Sequence, residues 1–156
     1  LGSIYNVVNT ENIGRIFGNK KDISNNYDSN KVIPIGFTPQ IYKYMCISEL
    51  LLTKPGGLTT TEAATINVPI IHTMPIPGCE TYNAEFFESR GMSISCKNTT
   101  DIKNAVISLL DDKNKVENII KAQKQNIDKN ACSKICEFII DEIRKYSKWK
   151  RIYNQM

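Results

Sequence analysis

The stretch Leu50-Leu51-Leu52-Thr53-Lys54-Pro55-Gly56-Gly57-Leu58-Thr59-Thr60-Thr61 leaves this chain few folds to choose from. Three consecutive leucines carry no alternation, so neither face of that segment is suited to water. This is the pattern of a buried strand in a parallel sheet, predicted over Glu49–Thr53. Pro55-Gly56-Gly57 cannot continue a strand, and the threonines open a helix predicted over Thr59–Asn67. The same alternation runs through most of the chain. Further strands are predicted at Ile13–Phe17, Lys31–Ile35, Val68–His72 and Met92–Cys96. Helices are predicted over Ser3–Glu11, where Ile4, Val7 and Val8 have helical spacing, and from Thr38 as cap to about Cys46, with Pro39 at the first helical position. Others follow at Glu80–Arg90, with Ala84, Phe87 and, at the margin of the pattern, Phe86 inward, and at Asp101–Leu110, capped from the Thr99-Thr100 side. About Lys113–Gln125 and Ala131–Tyr153 complete the set, while polar Lys20–Asp28 fits a short helix or a loop. Strands and helices joined in turn by short connections predict an α/β fold, a Rossmann-like parallel sheet with helices on both faces. Ligands of such sheets lie beyond the carboxyl ends of the strands, which singles out the loops after Phe17, Ile35, Thr53, His72 and Cys96.

A chain of 156 residues, 41% of them hydrophobic, fits one domain with a sizeable core. The net charge of +4 is mild, and no basic run is interleaved with aromatics, so no nucleic-acid partner is expected. The five cysteines, Cys46, Cys79, Cys96, Cys132 and Cys136, are odd in number and scattered, which argues for a reducing compartment rather than a disulfide framework. Cys132 and Cys136 stand one helical turn apart. Without a CxxC, and with the lone histidine His72 far off in sequence, they fall short of a zinc site and read as structural. No apolar run approaches the ~20 residues of a membrane span, and no signal peptide is visible. Leu1-Gly2-Ser3 lacks an initiator methionine and reads like the tail of a glycine-rich turn, so a piece of a longer protein is expected.

Three loops carry candidate chemistry. Gly56 and Gly57 let backbone approach a ligand closely. Thr59-Thr60-Thr61 would then aim free N–H groups and hydroxyls out of a helix N-terminus, an anion site by geometry and dipole. A capped helix after a Pro-Gly turn has the same spacing, and the loop is neither a Walker loop nor a GxGxxG fingerprint. Glu62, in the predicted first turn, is either a helix-stabilising charge or an acceptor for both hydroxyls of a ribose. The second loop, Thr73–Glu80, is stiffened by Pro75 and Pro77, and Asn83 follows on the side of Cys79 and Glu80. These polar groups either face the same crevice or belong to an ordinary stiff connection. In the third loop, Gly36-Phe37-Thr38, Phe37 either walls a base pocket or is an ordinary exposed or core aromatic.

Leu51–Ala63, Val68-Pro69-Ile70-Ile71 and Pro75-Ile76-Pro77-Gly78-x-Glu80-x-x-Asn83-Ala84 together resemble the C-terminal domain of family 28 glycosyltransferases. The nearest branch is the diacylglycerol glucosyltransferase and monogalactosyldiacylglycerol synthase group. The peptidoglycan enzyme that adds N-acetylglucosamine to lipid-linked muramyl pentapeptide is a more distant relative. Gly18-Asn19-Lys20-Lys21 and Val32-x-x-Ile35-Gly36-Phe37-Thr38 also fit. The resemblance covers most of Leu1–Gly91 and fades beyond it. It implies the C-terminal half of a two-domain GT-B fold: one nucleotide-sugar donor domain over 1–156, with a C-terminal helical segment at 131–156 and the N-terminal acceptor domain elsewhere.

By the resemblance, Gly57, Leu58 and Thr59 meet the diphosphate of a UDP-hexose, Glu62 holds the ribose hydroxyls, and the backbone at Phe37 and Thr38 reads uracil. Glu80 and Asn83 approach the sugar or diphosphate, and Gly2, Gly18, Lys54, Gly56, Thr60, Pro77, Gly78 and Cys79 complete the donor site. Cys79 stands where the family usually has Gln, and a thiol is a far weaker hydrogen-bond partner than an amide. The expected reaction transfers a hexose to a lipid such as diacylglycerol, without cofactor or metal. Its catalytic residues and acceptor site belong to the other domain, so this stretch alone is expected to bind UDP weakly and not turn over. A non-catalytic donor-binding subunit of a split glycosyltransferase and a UDP-sugar epimerase of the same architecture remain open alternatives. The full-length protein is expected to be cytoplasmic and peripheral on the inner face of the cell membrane. Over Lys134–Arg151, Ile135, Phe138, Ile139, Ile140 and Ile143 are expected to pack on the sheet. The basic, aromatic end of the segment is the candidate for an anionic membrane surface.

Overall fold

The computed structural model describes the backbone of residues 4–8, 13–17, 32–35 and 37–153, and the side chains of 33, 35 and 37–146. Gly2, Gly18 and the Lys20–Asp28 segment lie outside the described residues. Six strands, β1 (Ile4–Val8), β2 (Ile13–Phe17), β3 (Val32–Ile35), β4 (Leu50–Thr53), β5 (Ile70–His72) and β6 (Ser93–Ser95), form one sheet in the order β3-β2-β1-β4-β5-β6. The strand at Ile4–Val8 corrects the helix predicted over Ser3–Glu11. Three apolar residues fit either period, and Ile4, Tyr5, Val7 and Val8 are β-branched or aromatic. Pairing decides: Tyr5 lies opposite Leu52 on one side and Ile16 on the other. The strand β1 runs antiparallel to both neighbours, while β2–β3 and β4–β5–β6 pair in parallel. The expected all-parallel sheet is therefore mixed by this one strand. Since β2 and β4 both oppose β1, the other five strands share a direction and their carboxyl ends share one edge.

The β4 and β5 strands alternate between two cores, as period-two geometry requires. Leu51 and Ile70 face Ala63 and Ala64 of α2 (Gly57–Thr65), Phe87 of α3 (Cys79–Ser89) and Met45 of α1 (Ile41–Cys46). Leu50 and Ile71 face Ala105 and Leu109 of α4 (Thr99–Asp111) and Ile119 of α5 (Lys113–Asn126). Helices thus cover both faces of the parallel part, as predicted. Phe86 departs from the expected inward set: it is 42% exposed and lies under the Arg90 guanidinium, 3.9 Å from the ring centroid.

Two helix starts differ from expectation through their caps. The side chain of Asn98, rather than Thr99 or Thr100, accepts from the Asp101 N–H at 2.9 Å, and Asp101 accepts in return from Asn98 Nδ2 and Lys97 N. The Thr38 hydroxyl accepts from Gln40 N, one position ahead of α1, with Pro39 in the turn before it. Helix α6 (Ala131–Tyr153) falls where predicted, but its apolar face does not pack on the sheet. Ile135, Phe138 and Ile143 are each at least 58% exposed. No described helix is long and apolar enough to cross a membrane.

Candidate functional site

The carboxyl edge of β4–β5–β6 carries the candidate site. Past Thr53 the chain turns at Pro55, with Gly56 N donating to the Lys54 carbonyl at 2.8 Å. Gly56 stays extended (φ −74°, ψ 133°), and α2 begins at Gly57, two residues earlier than predicted. Thr60 N is the first amide bonded back along the helix, to Gly56 O at 3.0 Å. Among the described residues the N–H groups of Gly57, Leu58 and Thr59 have no acceptor, and no side chain caps them. Three aligned donors at the positive end of a helix make an anion cradle.

The earlier start changes two side chains. Thr60 is fully buried and its hydroxyl points into the protein, so it does not join the hydroxyls expected at the helix mouth. Glu62 is no longer in the first turn, so the helix-stabilising reading loses its basis. Its carboxylate is exposed and has no hydrogen-bond or ion-pair partner among the described residues. An acidic group one turn beyond a cradle of amides is free to accept from a ligand.

The loop after β5 is bound to this cradle. Thr73 N donates to Thr53 O at 2.9 Å, which joins the roots of the two loops. Ile76 N donates to Glu80 Oε2 at 2.7 Å, so one carboxylate oxygen of Glu80 shapes the loop. Gly78 has φ 108° and ψ −123°, a conformation that side chains disfavour, and it turns the chain into α3. Pro77, Gly78 and Cys79 are exposed around that turn. Asn83, one turn into α3, donates from Nδ2 to Pro55 O at 3.0 Å and thus touches the first loop directly. Phe37, 95% exposed, follows β3 at the far edge of the sheet, with β2 and β1 standing between β3 and β4. Lys54, Gly56–Thr59, Glu62, Pro77–Glu80 and Asn83 are therefore brought to one stretch of edge, and Phe37 and Thr38 are set apart from it.

Sequence reasoning missed the polar layer beneath these loops. Thr53 and His72 are buried at the last positions of β4 and β5, and Ser93 is buried at the first position of β6. The His72 Nδ1 lies 3.2 Å from Ser93 Oγ, its Nε2 has no partner, and its ring meets Phe87 edge-on at 5.9 Å. Burial pushes the imidazole down from 6.5 to about 4. The one available signal was a histidine closing an otherwise apolar strand. No group of three His, Cys, Asp or Glu among the described residues is placed to hold a metal, and Cys132 and Cys136 are exposed.

A family described as "Glycosyl transferases group 1" matches residues 15–126. A processive diacylglycerol beta-glucosyltransferase of Bacillus subtilis is 38% identical over 120 residues, covering 77% of this chain and 30% of that protein. One of Staphylococcus aureus is 31% identical over 138 residues, covering 88% of this chain and 35% of that protein. The chain thus spans about a third of the length of these curated relatives. Among solved structures, Acinetobacter baumannii MurG superposes with a TM-score of 0.58 at 23% identity, covering 74% of this chain and 36% of that one. The spinosyn forosaminyltransferase SpnP superposes with a TM-score of 0.59 at 15% identity, over 69% and 29%. These likenesses show the fold, a Rossmann-like domain of the GT-B glycosyltransferases. The motifs resemble family 28, whereas the matching description is group 1; the diacylglycerol glucosyltransferase branch read from the motifs is the one these relatives carry.

Proposed function

The chain belongs to the group 1 glycosyl transferases, and we propose that it is the donor-binding part of an enzyme that transfers a hexose from a UDP-sugar to a lipid acceptor such as diacylglycerol. The observation that carries this reading is the start of α2, where three N–H groups and the nearby Glu62 carboxylate have no partner among the described residues. The amides of Gly57, Leu58 and Thr59 hold the diphosphate, with Lys54 supplying a nearby positive charge. Glu62 takes the ribose hydroxyls, and the backbone at Phe37 and Thr38, three strands away along the same carboxyl edge, reads the base. The free oxygen of Glu80 and the Pro77–Cys79 turn face the hexose. When the glycosidic bond breaks, negative charge builds on the departing UDP, and preorganised amides at a helix end stabilise it where it develops. The base and the acceptor site belong to the rest of the enzyme. The relatives are named as diacylglycerol glucosyltransferases, and we propose that the full-length protein works on the inner face of the membrane. The basic end of α6 is the part of this chain suited to anionic headgroups.

Calorimetry with UDP, ADP and UDP-glucose tests the site. Gly57→Pro is the sharpest variant. It deletes one cradle N–H at the first helical position, where proline is well tolerated, and the extended Gly56 before it suits a following proline. The melting temperature should hold while UDP affinity falls about tenfold, the worth of one charge-assisted hydrogen bond. Glu62→Ala should cost about tenfold or more, because two ribose hydroxyls lose a charged acceptor. Wild-type protein that ignores UDP, or affinity unchanged in both variants, would refute the assignment. Product analysis of the full-length protein separates transfer from epimerisation, since an epimerase converts UDP-glucose with no lipid present.

A further inference from the structure

Asn83 does something that contact with a sugar would not require. Its Nδ2 donates to a carbonyl 28 residues away, that of the fully buried Pro55. In an α-helix the carbonyl of residue 55 is the acceptor for the N–H of residue 59. If Gly56 adopted helical angles, α2 would lengthen backwards by one residue and Pro55 O would take up the Thr59 N–H. Glycine can make that change at little steric cost. In the structure Gly56 is extended, Thr60 N is the first amide bonded within the helix, and the Pro55 carbonyl is held by Asn83 instead. A Cβ placed on Gly57 would lie 3.7 Å from Asn83 Nδ2, so the amide also packs closely over the first helical residue.

We infer that Asn83 is a positioning residue that keeps the anion cradle open. By tethering Pro55 O to α3 it keeps Gly56 extended and α2 from winding back onto the Thr59 N–H. The same bond fixes the start of α3, with the loop that Glu80 shapes, to the start of α2, so the two ligand-facing loops are held at one spacing before any ligand arrives. That the cradle serves a diphosphate rests on the function proposed above; the latch itself is a property of the ligand-free fold.

The test uses Asn83→Leu, which removes the donor at similar size, and Asn83→Asp, which keeps the shape but turns the donor into an acceptor facing a carbonyl. In ligand-free protein, amide hydrogen exchange at Gly56, bonded to Lys54 O, should rise about tenfold in both variants as the turn loosens, and the Thr59 amide should gain protection as the helix winds back. Affinity for UDP lacking any hexose should fall about tenfold in both. A residue that only touches the sugar would leave ligand-free exchange and UDP affinity as they are, and either result overturns the inference. If one variant does not fold, the other still decides. Altered exchange in the variants, together with a wild type that does not bind UDP, would leave the latch standing and remove the function assigned to the cradle.

Discussion

Acidification from pH 7 to pH 4 is expected to strip about 3 kcal/mol of folding stability from this domain through His72 alone. The ring is completely buried, with one nitrogen beside Ser93 Oγ and the other facing no partner. Among the described residues no acidic side chain is paired with it, so no opposite charge offsets the cost of charging it. Burial accordingly lowers its pKa from 6.5 to about 4. A folded-state pKa below the unfolded value means that the folded protein prefers the neutral ring. Between those two values the unfolded chain binds more protons than the folded one, so stability falls as pH falls. The contribution is intact above 6.5, declines through the window and is gone near 4. Urea unfolding of the wild type and of His72→Leu across this range isolates the effect. Carboxylates titrate at the acid end in both proteins, whereas only the wild type carries the histidine. The variant should show a distinctly shallower loss between pH 6.5 and 4, and equal slopes would remove His72 as the cause.

The His72 position illustrates what local sequence can and cannot convey. Val68–His72 read as a strand because Ile70 and Ile71 form a short apolar run, and the strand is there. That its last side chain turns inward onto Phe87 depends on α3 packing over it, which no local pattern states. The first strand failed for a related reason. Ile4, Val7 and Val8 fit a helix by spacing, but Tyr5, Asn6 and Val7 pair with Leu52, Leu51 and Leu50 far along the chain, and pairing outweighed spacing. The extent of α6 was legible residue by residue from its amphipathic period. What its apolar side would meet was not, since the same stripe fits any apolar partner.

In the candidate site, glycine, proline and threonine chemistry is local, so the loops after Thr53 and His72 were legible. The helix start was placed late because two glycines look like a turn, and glycine is a poor helix former. At the first helical position that penalty matters less, and α2 begins on Gly57. The two-residue error carried Thr60 to the helix mouth and Glu62 into the first turn, where neither is found. The link from Asn83 to Pro55 spans 28 residues and left no trace in either loop's own composition.

Replacement of Gln123 is expected to give the largest stability loss of any polar substitution in the described core. Its amide is fully buried on α5, and Nε2 donates to Val68 O at 2.9 Å and Met92 O at 3.1 Å. Those carbonyls stand just ahead of β5 and β6, so one side chain pins α5 across the amino ends of two neighbouring strands. Gln123→Ala removes both bonds, strands two buried carbonyls and opens a cavity, which together should cost about 3–4 kcal/mol. Gln123→Leu refills most of the space but still leaves the carbonyls unpaired. It also disposes of Oε1, which is buried without a partner, so its cost should be smaller, about 2 kcal/mol. Gln123→Glu places a carboxylate against two carbonyl oxygens in a dry site and should be the worst at neutral pH, at about 3–5 kcal/mol, unless it folds with the acid protonated. Chemical denaturation of the three variants at pH 7 gives the order, which should run glutamate, alanine, leucine from most to least damaging. If leucine matches the wild type, the two bonds are worth no more than the buried oxygen they come with, and helix α5 is held by Ile119 and its apolar neighbours instead.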